Sequence, residues 1–315
     1  MSGPCEVAEN IYLIDTEEGF IPRLTAAYLV NEGRKALIDA GCPNSASTIL
    51  KGIQRLGVDP KEVSYIIITH IHLDHAGGAG TLVKEMPYAK VLVHPRGAKH
   101  LTDPTKLISS AMQVLSPEEM ERYGLMNPVN PENVEVVDDN AVIELSSQQR
   151  LKVVYTPGHA HHHLSLYEER NKGLFAGDAI GEYVAEAQFL FVDTPAPSFD
   201  LTLALESIEK VKQLPLEILY FGHFGVSRKV EEILRVAQDK LKTWGEVIRQ
   251  AMKNSAGDPV ETLKEFVYAE LEPIRGDVAR HNIWAAWATE SVAGYVDYFK
   301  RTQGNLFWAR KQGEK

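Results

Sequence analysis

Thr69-His70-Ile71-His72-Leu73-Asp74-His75-Ala76-Gly77-Gly78 decides how this chain folds, because it directly follows the apolar run Tyr65-Ile66-Ile67-Ile68. A short β-branched run of that kind reads as a buried strand. Four side chains able to bind a metal then fall within six residues, His70 to His75. Side chains two apart on an extended backbone point the same way, so His70 and His72 can grip one cation. Asp74 and His75, past the bend, turn toward another. The spacing suits two metals better than one, and Gly77 and Gly78 allow the tight turn that brings the loop near the ions.

One motif cannot complete two coordination shells, so further ligands are expected where later strands end. His159 follows Thr156-Pro157-Gly158 after a strand ending at Tyr155. Asp178 follows Gly177 after Leu174-Phe175, and His223 follows Gly222 after Ile218-Leu219-Tyr220-Phe221. Each lies just past a strand and beside a glycine. Any one of them alone would read as an ordinary loop residue; the set together points to a metal centre.

Outward from these loops, the chain alternates strand and helix patterns. Strands are expected at Ile11 to Ile14, Thr25 to Val30, Lys35 to Asp39, Tyr65 to Thr69, Lys90 to Val93, Leu151 to Tyr155, Leu164 to Tyr167, Gly173 to Phe175 and Glu217 to Tyr220. Helices are expected at Ser45 to Leu56 and Leu201 to Leu214. A Met- and Pro-rich stretch from Pro95 to Glu132 reads as an insertion flanking the site, with short helices near Thr105 to Leu115 and Pro117 to Tyr123. After Gly225 the pattern becomes three helical segments, roughly Val226 to Asn254, Pro259 to Leu271 and Gly276 to Thr302. Two domains follow from this: 1–225, carrying the metal site, and 226–315, helical.

The 315 residues, 44% hydrophobic and 24% charged, suit a globular protein of about two units. No apolar run approaches the roughly 18 residues of a membrane span. The first residues lack a secretory signal pattern, so the expected location is cytoplasmic. Two cysteines make a disulfide framework implausible. The net charge of −10 opposes binding to phosphate backbones, so the expected partner is a small-molecule substrate, without nucleic acid or membrane. A homodimer is left open.

The pattern resembles the metallo-β-lactamase superfamily, whose signature is His-x-His-x-Asp-His followed by His, Asp and His. The resemblance covers about residues 7 to 225. It implies an α/β fold, a four-layered αβ/βα sandwich with the site at one edge. By position it assigns His70, His72 and His159 to a first metal and Asp74, His75 and His223 to a second, with Asp178 bridging both. Asp39, in Leu37-Ile38-Asp39-Ala40-Gly41, matches a family position that supports a ligand from outside the coordination shell. His163 matches one that steadies the loop, and His162 is a candidate for facing substrate.

Two divalent ions roughly 3.5–4 Å apart would share a hydroxide at neutral pH and polarise a carbonyl. The chemistry implied is hydrolysis of a small thioester, ester or lactone, with Asp74 orienting the hydroxide or carrying a proton to the leaving group. Imidazole and carboxylate ligands suit zinc, iron and manganese comparably; zinc is preferred on general grounds. The alternatives are a di-iron oxygen-binding or redox protein and a ligand sensor with little turnover. The helical region is similar to that of the quinolone signal response protein and its thioesterase relatives. That similarity makes Glu182, Tyr183, Phe199 and His281 substrate-pocket candidates, with the apolar stripe from Trp284 and Trp287 to Phe299 as a possible cap.

Overall fold

The computed structural model describes residues 3–254, 264–274 and 276–312. A first sheet takes its seven strands in sequence order: β1 (Cys5–Ala8), β2 (Ile11–Asp15), β3 (Ala26–Val30), β4 (Lys35–Ile38), β5 (Val63–Ile67), β6 (Lys90–Val93) and β7 (Val134–Val136). β1 to β4 are antiparallel neighbours, and β4 to β7 run parallel. Parallel neighbours need crossovers. These are α1 (Ala46–Arg55), then α2 (Leu73–Ala76) and α3 (Ala79–Glu85), then α4 (Pro95–Thr102), α5 (Thr105–Val114) and α6 (Pro117–Tyr123).

A second sheet begins with β8 (Val142–Glu144), β9 (Arg150–Tyr155), β10 (Leu164–Glu168) and β11 (Gly173–Gly177). The chain then forms a separate hairpin, β12 (Glu182–Val184) with β13 (Phe189–Phe191), and the helix α7 (Leu201–Val211). It returns as β14 (Ile218–Phe221) and β15 (Gly225–Ser227), giving the order β15-β14-β11-β10-β9-β8. Beyond lie α8 (Val230–Asn254), α9 (Lys264–Glu270) and α10 (Val278–Gln312). The start of the helix expected from Pro259 lies outside the described residues.

Burial explains why the first sheet forms. All five residues of β3 are buried, and alternate side chains serve two different cores. Ala27 and Leu29 join Ile49 and Ile53 of α1 under the helical layer. Ala26, Tyr28 and Val30 join Leu151, Val153, Leu164 and Phe175 of the second sheet. Each fully buried aliphatic side chain contributes about 1.5–3 kcal/mol. The Tyr28 hydroxyl, within 2.8 Å of the carbonyls of Phe221 and Gly225, ties the first sheet to the strand pair that flanks His223. The expected α/β sandwich with a C-terminal helical region is thus present.

The chain forms two compact units, but they interleave. One comprises Met1–Tyr155, His162–Asp178 and Pro215–Val230; the other comprises Thr156–His161, Ala179–Leu214 and Glu231–Lys315. The expected division at Gly225 is therefore not a single cut, and the second sheet itself runs on to Ser227. The second unit has its own core, in which Phe191 lies 5.8 Å from Trp244 and 5.6 Å from Trp284, ring centre to ring centre. Among the described residues, no helix is long and apolar enough to cross a membrane.

Candidate metal centre

The loop after β5 is held by one carboxylate. Asp39, at the end of β4, adopts φ 53°, a left-handed conformation that aspartate tolerates better than most residues. Its Oδ1 accepts from the Thr69 amide at 2.8 Å, and its Oδ2 accepts from the Thr69 hydroxyl at 2.8 Å and from His75 Nδ1 at 2.9 Å. The Thr69 amide therefore bonds to a side chain instead of a neighbouring strand's carbonyl, and β5 ends at Ile67, two residues before its expected end. Ala40 N donates to His75 O at 2.7 Å, and Leu164 N donates to Thr69 O at 2.8 Å. Asp74 and His75 follow on the single helical turn α2.

These contacts fix the imidazole tautomers, which we assign from the hydrogen-bond network. His75 Nδ1 must carry a hydrogen to donate to Asp39. A threonine hydroxyl has one hydrogen, and Thr69 gives its own to Asp39, so it accepts from His70 Nδ1 at 3.1 Å. His223 Nδ1 faces the Leu24 carbonyl at 3.3 Å and must also donate. In the neutral rings, all three Nε2 atoms are then lone-pair acceptors.

Those acceptors face one another. His75 Nε2 and His223 Nε2 are 3.2 Å apart, and Asp74 Oδ2 lies 3.3 Å from the first and 3.1 Å from the second. Asp178 Oδ2 stands 3.4 Å from His70 Nε2, 3.3 Å from His75 Nε2 and 3.7 Å from His223 Nε2. His72 Nδ1 approaches His70 Nε2 at 3.1 Å. Lone pairs converging this closely in a buried place require a positive charge among them. Ligand atoms of Asp74, His75 and His223, and likewise of His70, His75 and Asp178, lie within 4.8 Å of one another. The nitrogen and carboxylate donor set therefore fits divalent metal ions.

The electrostatics agree. Burial alone would raise the carboxyls of Asp74 and Asp178, but the charges of His75 and His223 outweigh it and hold both well below the usual range. Burial would lower His75, yet Asp178, Asp74 and Asp39 hold it well above its ordinary value. Protons gather where cations would sit, and a bound metal displaces them.

Two glycines let the ligands close in. Gly177, with φ 52°, precedes Asp178, and a Cβ there would come within 2.5 Å of His163 Nε2. That nitrogen accepts from the Asp178 amide at 3.1 Å. A Cβ on Gly222 would meet His75 Cε1 at 2.7 Å and Asp178 Oδ1 at 2.9 Å. We expect Gly222→Ala to keep the fold but to displace both groups and weaken metal binding by about 10–100-fold, the range seen when ligand supports are lost. Isothermal titration with Zn²⁺ checks this; unchanged affinity would contradict the close packing.

His162 accepts from Ile71 N at 3.4 Å and stacks 6.4 Å from His70, so it lies against the metal loop. His159 belongs to the second unit, where its Nδ1 lies 3.2 Å from Asp193 O and 3.6 Å from Asp193 Oδ2. Glu182 and Tyr183 are buried on β12, and Phe199 is buried 4.7 Å from Tyr295. His281 is half-buried on α10. His94 caps α4 by accepting from Arg96 N at 3.1 Å.

The sequence reading missed Glu18. It is 1% exposed, hydrogen-bonded to Thr25, and pushed up to about 7 by burial and then by the charge of Asp74, against the pull of His223. An acid raised in the folded state stabilises fully below its ordinary value of 4.5, and that contribution is lost as pH rises through about 7. A rise of this size is worth roughly 3 kcal/mol. Metal-free wild type should therefore lose roughly 3 kcal/mol relative to Glu18→Gln between pH 4.5 and pH 8 in denaturant titrations. Parallel pH profiles for the two proteins would contradict it.

The family model for the metallo-beta-lactamase superfamily matches residues 20–223. A metallo-beta-lactamase fold-containing protein of Sulfurisphaera tokodaii is 32% identical over 67% of this chain and 77% of its own length. An N-acyl homoserine lactonase from a Bacillus species is 26% identical over 67% of this chain and 79% of its own length. Among solved structures, an archaeal metallo-beta-lactamase superfamily protein from Sulfolobus tokodaii aligns with a TM-score of 0.64 at 25% identity, covering 93% of this chain and all of that one. With its histidines and aspartates gathered into clusters able to bind metal, the chain belongs to the metallo-beta-lactamase superfamily.

Proposed function

We propose that this protein is a dinuclear-metal hydrolase acting on the carbonyl of a small thioester, ester or lactone. The observation that carries the reading is the convergence of His75 Nε2 and His223 Nε2, whose rings carry their hydrogens on Nδ1, with the carboxylate oxygens Asp74 Oδ2 and Asp178 Oδ2. When bound, divalent cations would supply a nucleophile from water near neutral pH and polarise the carbonyl. His70, His72 and His159 would hold one metal, Asp74, His75 and His223 the other, with Asp178 shared; zinc is the proposed metal. Asp39 sets the tautomers of His75 and, through Thr69, of His70.

Asp74 has a second task in this reading. Its side chain is 18% exposed, against 0–2% for His70, His75, Asp178 and His223. It is the acid of the group that solvent and substrate can reach, so it would orient the nucleophile and carry a proton to the leaving group. The similarity to an N-acyl homoserine lactonase supports a carbonyl substrate. Glu182, Tyr183, Phe199 and His281 are proposed to contact it.

The test is a turnover screen across thioesters, lactones and phosphodiesters with Zn-, Mn- and Fe-loaded protein. Carbonyl substrates should be hydrolysed and phosphodiesters left intact. An iron-rich, coloured protein without hydrolysis would favour a di-iron redox role instead.

A further inference from the structure

The segment between β2 and β3 is folded back on itself. Thr16 closes it, its amide and hydroxyl reaching Thr25 O at 3.1 and 3.0 Å, while the Asp15 carboxylate caps the amides of Glu17 and Arg23. Glu17, Gly19, Phe20 and Arg23 hold φ between 48° and 67°. Three of these are not glycine, and each left-handed residue costs on the order of 1–2 kcal/mol. What the bending achieves is the burial of Glu18. Its Oε2 accepts from the Thr25 hydroxyl, and its Oε1 is buried with no hydrogen-bond partner. Hiding a carboxylate with one oxygen unsatisfied adds a further cost, which its environment must offset.

Thr25 sits between two residues that grip the turn after β14. Leu24 O receives His223 Nδ1 at 3.3 Å, and Ala26 N donates to Gly222 O at 2.7 Å. Tyr123, at the end of α6, lies near the Glu18 carboxyl. The anchor thus reaches a metal ligand through one residue.

We propose that Glu18 is a positioning residue of the metal centre: by holding Thr25, it keeps the Leu24 carbonyl where it takes the His223 Nδ1 hydrogen and leaves Nε2 turned toward Asp74. This rests on the dinuclear reading above. It assigns a purpose to a strained loop and a buried acid, neither of which donates to a metal.

The test is stepwise Zn²⁺ binding by full-length protein, measured by competition with a chelating dye. The binding step that His223→Ala abolishes identifies the second site. Glu18→Ala and Thr25→Val should weaken that step by about 10–100-fold and the other step by less than about threefold. Glu18→Gln, which keeps an oxygen for the Thr25 hydroxyl, should restore the affinity to within about threefold of wild type. Folding is checked by circular dichroism; if Glu18→Ala does not fold, Thr25→Val decides. Equal weakening of both steps, no weakening, or failure of Glu18→Gln to rescue would overturn the proposal. Wild type taking up a single metal would instead sink the dinuclear reading itself.

Discussion

Asp178→Ala is expected to remove most bound metal and to reduce turnover by at least about a thousandfold, on the order of 4 kcal/mol of transition-state stabilisation, while the fold survives. The reason is geometric. Asp178 Oδ2 reaches the Nε2 atoms of His70, His75 and His223, so one oxygen would serve both halves of the proposed centre. Among the described residues, Asp74 Oδ2 pairs with His75 and His223 and not with His70, so it would not substitute on the His70 side. The fold should persist because Asp178 lies past the end of β11, outside the strand pairing. Metal analysis, turnover and circular dichroism on the same sample check the three parts. A variant that keeps two metals and full activity would contradict the shared-ligand role.

Asp39→Asn should come next in effect, although Asp39 is assigned no metal. Its two oxygens accept three hydrogens, from the Thr69 amide, the Thr69 hydroxyl and His75 Nδ1. An asparagine has a single acceptor oxygen. With its NH₂ toward His75, it would demand an acceptor at Nδ1 and place the ring's hydrogen on Nε2, where the lone pair is needed. With its NH₂ toward the Thr69 amide, donor would face donor. Either way the variant should lose about 10–100-fold in metal affinity, with a larger effect at the step assigned to His75 than at the one assigned to His72. Wild-type affinity at both steps would show that Asp39 does not set the tautomers.

The metal loop was legible because its signal is local. Four candidate ligands crowd into six residues after an apolar strand, and strand ends followed by a glycine mark where Asp178 and His223 fall. Edge elements were not legible. β7, β8, β12, β13 and β15 are three residues long, and β7 and β8 carry half-exposed valines, Val136 and Val142, that give no apolar alternation. The units interleave because packing, unlike periodicity, does not respect chain order. Glu18 was unreadable for a similar reason. A glutamate beside Glu17 and Gly19 looks like a solvated turn, and only the left-handed loop, with Thr25 opposite, shows that it is buried. Thr69 stood inside the quoted motif, but its role depends on Asp39, thirty residues earlier.

The most direct measurement is anomalous diffraction at the zinc edge from crystals grown with Zn²⁺. The geometry predicts two peaks, one among His75, His223 and Asp74 and one beside His70 and His72, with Asp178 in contact with both. A single peak, or none among these side chains, would contradict it.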